Sequence, residues 1–210
     1  MEATIGRAMG TTDRQPDRIP PSWFGDPDPA VRSQAASGIG RAAYLFALQM
    51  TRQPDIAQDI AQDSLVKFYR GIDRFDPSRP VEPWLYSIVR NQARDQARRD
   101  RHRRHDSLDA WLDAGLREVA DDAAEPSEVA EMRERQRMVW TAIGELSDDH
   151  REILVLRDFH DLTYDELAST LGNPRGTVMS RLHAARARLR QRIQASHLDT
   201  EQREGGGIDG

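Results

Sequence analysis

The sequence predicts an all-α protein made of two small helical domains joined by a flexible acidic linker. Three observations lead there. Apolar residues recur at helical spacing in two separate stretches, at about 29–105 and 131–196. The chain is 31% charged and only 38% hydrophobic over 210 residues, which is lean for one large core. The charge is also segregated along the chain. Arg90 to Arg104 holds seven arginines against two aspartates, and Leu171 to Ala195 holds six arginines and no acid. Ser107 to Glu134, between them, holds nine acids against two arginines. The net charge of −5 averages these blocks away, although a DNA phosphate responds to their distribution.

There is no cysteine, so disulfides and thiolate metal sites are excluded. No apolar run approaches the length of a membrane span, and the N-terminus lacks the apolar core of a secretory signal. The expectation is a cytoplasmic protein that does not insert into membranes.

Residues 1–28, with Pro16, Pro20, Pro21 and Pro27 among scattered charges, read as a disordered tail. Trp23 and Phe24 stand out there, able to dock on the first domain or to remain on a mobile tail. Tyr44, Leu45 and Leu48 suggest a first helix. Ile56, Ile60, Leu65, Phe68 and Ile72 define a second, whose opposite face carries Asp59, Gln62, Asp63, Lys67 and Arg70. A turn with two prolines follows at 74–80. A third helix, about 83–99, is built on Trp84, Leu85, Ile88 and Val89. Residues 106–130 read as the linker, where Leu108, Trp111, Leu112 and Leu116 could form a short helix.

In the second domain, Met138, Val139, Ile143 and Leu146 end one helix. Ser147 can cap the next, which holds Ile153, Leu154, Leu156 and Phe159. Thr163 and Glu166 fit a capping box at the head of a short helix that Gly172 breaks. Asn173 can cap a last helix with Pro174 at its first position, running to about Ile193. Residues 197–210 read as a mobile tail.

Two helices joined by a short turn containing glycine form a helix-turn-helix pattern, whose second helix offers its N-terminal side chains to the major groove. Here those are Arg175, Thr177, Ser180 and Arg181, with Val178 and Leu182 facing inward onto Leu167 and Leu171. Arginine can read guanine with two bonds, and the arginines farther along can neutralise phosphates. A solvated basic helix is the plainer alternative, against which the bias of six cations to no acid weighs. In the first domain, Arg90, Asn91, Arg94 and Arg98 recur near Trp84 and Tyr86. Basic residues beside aromatics suit melted DNA, although Trp84 also fits a core position.

The stretch Asp59 to Arg70, with Arg74-Phe75-Asp76 and Trp84 to Asn91, resembles region 2 of bacterial sigma-70 factors. Leu146 to Arg157, Leu162 to Ala168 and Gly176 to His183 resemble region 4. The pairing of only these two regions resembles the extracytoplasmic-function (ECF) group. The resemblance implies a sigma factor that binds core RNA polymerase, recognises promoters, melts them and starts transcription. It implies that Asp59, Gln62, Asp63, Lys67 and Arg70 meet the clamp coiled coil of the largest polymerase subunit. It places Arg90, Asn91, Arg94 and Arg98 on the minus-ten element, to which the reading of basic residues beside aromatics adds Trp84 and Tyr86, and Arg175, Thr177, Ser180, Arg181, His183 and Arg186 on the minus-thirty-five element. It further implies contact with the flap of the second-largest subunit, an anti-sigma factor as partner, and no cofactor.

This chain departs from the family's pattern in two places. Met179 and Ala184 stand where the family often has a cation, which removes roughly one phosphate contact each. The loop 77–83, which in the family captures a flipped base, is rich in proline.

Other readings fit less well. An ordinary helix-turn-helix regulator would need a receiver or ligand domain upstream, and the first unit shows no strand–helix alternation. A metallohydrolase using His102 and His105 would place a cation inside an arginine run. No nucleophile motif or phosphate loop rises above chance, so neither a catalytic residue nor a metal ligand is expected. A protein-only scaffold would lack salt-sensitive DNA binding.

Overall fold

Asp28 starts the first helix, α1 (Pro29–Thr51). Its carboxylate takes the Ala30 N–H at 2.8 Å, and Pro29 brings a pre-set φ to the first turn. The computed structural model describes residues 18–99 and 126–205, with side chains for 18–99 and 133–195. Expectations for 1–17, for the basic run 101–104, for the acidic segment 106–125 with its short helix, and for 206–210 lie outside the described residues. Helix α1 ends at Arg52, whose left-handed backbone (φ 59°) returns its N–H to the Leu48 carbonyl.

Helix α2 (Pro54–Gly71) buries one stripe, Ala57, Ile60, Ala61, Ser64 and Phe68, and leaves the opposite face in water. A 3-10 turn (Ile72–Arg74) and a loop lead to α3 (Val81–Arg99), which buries Val81, Leu85, Tyr86, Val89 and Ala93. The three helices pack on one another as a bundle.

In the second domain, α4 (Pro126–Gly144) precedes α5 (Asp148–Leu154), which continues as a π-helical turn (Val155–Phe159). Then come α6 (Tyr164–Leu171) and α7 (Arg175–Gly205). Among the described residues there are seven α-helices and no strand, as the sequence predicts. Val178, Leu182, Ala185 and Leu189 of α7 close over Leu167 and Leu171 of α6 and Ile153 to Leu156. The buried residues of both domains form one continuous cluster.

Several boundaries differ from the sequence expectation. Residues 18–28, expected as tail, pack on the first domain. Pro20 and Pro21 fix the backbone of a 3-10 turn (Pro21–Gly25) instead of preventing structure. Phe24 sits edge-on to Phe68 at 5.5 Å and to Tyr69 at 6.3 Å. The Ile19 N–H donates to Glu82 Oε1 at 2.7 Å. Gly38 makes room for the Ile19 side chain, since a Cβ there would lie 2.6 Å from Ile19 Cδ1. Helix α4 begins at Pro126, inside the stretch expected as linker, and α7 runs on to Gly205, into the stretch expected as a mobile tail. Ser147 stands at the cap position of α5, but its side chain makes no capping bond. Asn173 does not cap α7: its Nδ2 donates back to the Leu171 carbonyl, and the Pro174 carbonyl takes the Val178 N–H.

Candidate nucleic-acid interface

The capping box at the head of α6 is complete. The Glu166 N–H donates to Thr163 Oγ1 at 3.3 Å and the Thr163 N–H to Glu166 Oε2 at 2.7 Å. Gly172 ends α6 at φ 65°, a conformation that favours glycine, and α7 starts at Arg175 after the short glycine turn of a helix-turn-helix pattern. The exposed N-terminal part of α7 presents Gly176, Thr177, Met179, Ser180 and His183.

The cations of this face are not all open. Arg175 is exposed but donates to both Asp165 oxygens, at 2.9 and 3.0 Å, with its guanidinium 5.9 Å from the Tyr164 ring centre. Arg186 pairs with Asp158 at 2.6 Å. Arg181 is half-buried. The exposed edge at the start of α7 therefore carries Arg175, already paired with Asp165, and Met179, 51% exposed, among Thr177, Ser180 and His183.

The first-domain candidates are divided. Asn91 and Arg98 are exposed on α3, Arg98 only 3.6 Å from Asp95. Trp84 is half-buried, stacked on Phe75 at 4.9 Å and packed on Phe68 at 4.7 Å. A Cβ at Gly71 would come 2.9 Å from the Trp84 ring, so glycine is what admits the indole there. Tyr86 is buried, and its hydroxyl donates to His160 Nδ1 at 2.9 Å in the second domain. His160 Nε2–H donates in turn to Gln49 Oε1 at 2.7 Å. Both ring nitrogens are thus satisfied by one neutral tautomer, and burial lowers the imidazole pKa to about 3. In this arrangement Tyr86 is an interdomain side chain.

Arg90 and Arg94 also face the second domain. Arg90 Nε donates to Glu152 Oε1 at 2.5 Å. Arg94 Nη2 donates to Glu152 Oε2 and to Asp149 Oδ1, both at 2.8 Å. The Glu152 side chain is 1% exposed. Burial pushes its carboxyl up, against the lowering effect of the two guanidiniums.

The α2 face is open throughout. Asp59, Gln62, Asp63, Lys67 and Arg70 are all exposed, and Lys67 Nζ reaches Gln92 Oε1 across to α3 at 2.6 Å. Sequence reasoning missed Val66 and Tyr69 on this face, which are 49% and 42% exposed. Their spacing from Gln62 (i+4 and i+7) was the available signal for an apolar seam outside the core stripe. Glu152, Asp149 and His160 were also missed. They show no periodic signal, because their partners lie far away in sequence. Among the described residues no cluster of three His, Cys, Asp or Glu could hold a metal, and no helix is long and apolar enough to cross a membrane.

Fold and surfaces define a two-domain, all-helical protein whose second domain carries a helix-turn-helix. Sigma-70 region 2 matches residues 39–112, and Sigma-70 region 4 matches residues 142–191. The ECF RNA polymerase sigma factor RpoE of Cereibacter sphaeroides is 33% identical over 138 residues, 65% of this chain and 72% of its own length. Among solved structures, CnrH in complex with the cytosolic domain of CnrY aligns with a TM-score of 0.58 at 26% identity. That alignment covers 85% of this chain and 97% of that one. The sigma factor RpoE in complex with the anti-sigma factor NepR, from Bartonella quintana, aligns with a TM-score of 0.58 at 24% identity, covering 77% and 96%. The chain belongs to the ECF RNA polymerase sigma factors.

Proposed function

We propose that this sigma factor docks on core RNA polymerase through the exposed face of α2, reads and opens the minus-ten element with α3, and reads the minus-thirty-five element with the first half of α7. It directs promoter recognition, melting and initiation, and the chemistry of RNA synthesis belongs to the polymerase. The protein is a regulatory subunit with no catalysis of its own, working in the cytoplasm and held in check by an anti-sigma factor.

The observation that carries this reading is the α2 face. Asp59, Gln62, Asp63, Lys67 and Arg70 surround two exposed apolar side chains, Val66 and Tyr69. Tyr69 is partly covered by Phe24 and Phe68, and Val66 beside it is half exposed; a docking face gains from such an apolar centre with a charged rim. Asp59 and Asp63 suit a basic coiled coil, and the region flap of the second-largest subunit would take the region 4 domain. On α3, Asn91 and Arg98 are open to DNA, while Trp84, Tyr86, Arg90 and Arg94 would have to part from present neighbours. On α7, Thr177, Ser180 and His183 meet base edges, and Arg175, Arg181 and Arg186 serve the backbone or guanine.

The test is transcription from a genomic fragment library by core polymerase with the purified chain. Tyr69→Ala with Asp63→Arg should abolish polymerase capture while leaving the helical signal intact. Ser180→Ala with His183→Ala should keep capture and change the set of start sites. Capture that survives the α2 double variant would overturn the docking assignment.

A further inference from the structure

The arginines of α7 differ in which of their N–H groups they have already given to a partner. A guanidinium carries five N–H donors in one plane, and its Nε–H and one Nη2–H point the same way along one edge. That edge matches O6 and N7, the paired acceptors of guanine in the major groove. Arg186 gives this edge to Asp158, through Nε at 3.4 Å and Nη2 at 2.6 Å. Arg175, the first residue of α7, does otherwise. Its two bonds to Asp165, at 2.9 and 3.0 Å, both leave from Nη1, so the edge formed by Nε and Nη2 stays open.

The surroundings of Arg175 hold its plane. Asp165 lies in the first turn of α6, on the far side of the glycine turn. The ring of its neighbour Tyr164 has the Arg175 guanidinium over it, 5.9 Å from the ring centre. Arg157 lies over the same ring at 5.3 Å and is itself tied to the Leu162 carbonyl at 2.8 Å. Tyr164 also packs against the core. The Arg175 and Asp165 side chains are nevertheless 58% and 75% exposed. An ion pair so exposed adds little to folding, which leaves orientation as what it supplies.

We propose that Arg175 reads a guanine of the minus-thirty-five element, and that Asp165 and Tyr164 are the positioning residues that aim it. The proposal rests on the reading of that element by α7. Two considerations favour a base over a phosphate. The Asp165 carboxylate offsets the charge to which a phosphate responds, whereas O6 and N7 are neutral acceptors that reward direction. An arginine held in advance by a carboxylate and a ring also has less freedom left to lose on binding. The fixed edge then discriminates: adenine sets its N6 donor where guanine has O6, so donor would meet donor.

The experiment uses the full chain assembled with core RNA polymerase. Its template is a promoter recovered from genomic fragments, with the minus-thirty-five block randomised and each promoter barcoded in its transcript. The wild type should prefer guanine at one position of the block. Arg175→Ala should lower that preference by roughly ten- to a hundredfold, at that position alone. Asp165→Asn, which keeps the shape and removes the charge, and Tyr164→Leu should each lower it severalfold at the same position. Asp165→Asn should add nothing in an Arg175→Ala background. Damage to the fold would weaken all promoters together, so a change at one position separates positioning from a structural role. A guanine preference that survives Arg175→Ala, or an equal loss across the whole library with a flatter salt dependence, overturns the guanine reader. An unchanged preference in Asp165→Asn or in Tyr164→Leu overturns that residue's positioning role. A wild type that initiates normally with no preferred base anywhere in the block sinks the minus-thirty-five reading itself, and this proposal with it.

Discussion

Single side chains at the domain boundary set how the protein responds to pH. His160 is held neutral between the Tyr86 hydroxyl and the Gln49 amide, with the Phe46 ring 5.5 Å away. Its folded pKa of about 3 lies below the ordinary value of 6.5, so the folded state binds fewer protons than the unfolded chain between those values. The contribution is present above pH 6.5 and is lost as pH falls toward 3, at up to about 1.4 kcal/mol per unit. Thermal melts should therefore show a falling Tm from pH 7 to pH 5. Glu152 acts in the opposite sense, because its raised carboxyl favours the folded state in acid. Comparison with His160→Gln isolates the histidine: the variant should show a flatter pH profile, and an identical slope would remove His160 from the account. Phe46→Ala, which empties a fully buried position against Tyr86, should cost about 3–5 kcal/mol in chemical denaturation.

At the scale of elements, the caps do the most to place the DNA-reading helix. Thr163→Ala removes one half of the α6 capping box and should cost about 1 kcal/mol of stability by denaturant titration. Glu166→Ala should cost more, because the same carboxylate also holds Arg18, and a double-mutant cycle with Arg18→Ala should show coupling between the two sites. On α7, Met179 sits on the exposed N-terminal edge proposed to read DNA. Met179→Arg should add one phosphate contact and steepen the dependence of duplex affinity on log salt by about one unit. An unchanged slope would mean that this position does not face the backbone.

These elements were also the most legible in the sequence. The capping box, the glycine break at 172 and the apolar stripe of α2 are local patterns, and local patterns survive without knowledge of the fold. The start of α1 was less clear because its buried residues include Ala35, Ala43 and Ala47, which carry little hydrophobic signal. The packing of the segment 18–28 was hidden for a different reason. Its prolines read as disorder, and only packing by Ile19 and Phe24 shows that they shape a turn.

At the scale of the molecule, the two-domain organisation was legible and the relation between the domains was not. Arg90 and Arg94 have the composition of a DNA site, and nothing near them in sequence announces Glu152. In the structure both arginines donate to Glu152, a pairing that no local pattern predicts. The central claim is that this chain acts as a polymerase subunit. The most direct measurement is to mix it with core RNA polymerase, follow co-elution by gel filtration, and map the transcripts made from genomic fragments. The account predicts a stable complex whose start sites share an upstream sequence. Failure to co-elute, together with sequence-specific duplex binding by the free chain, would contradict it.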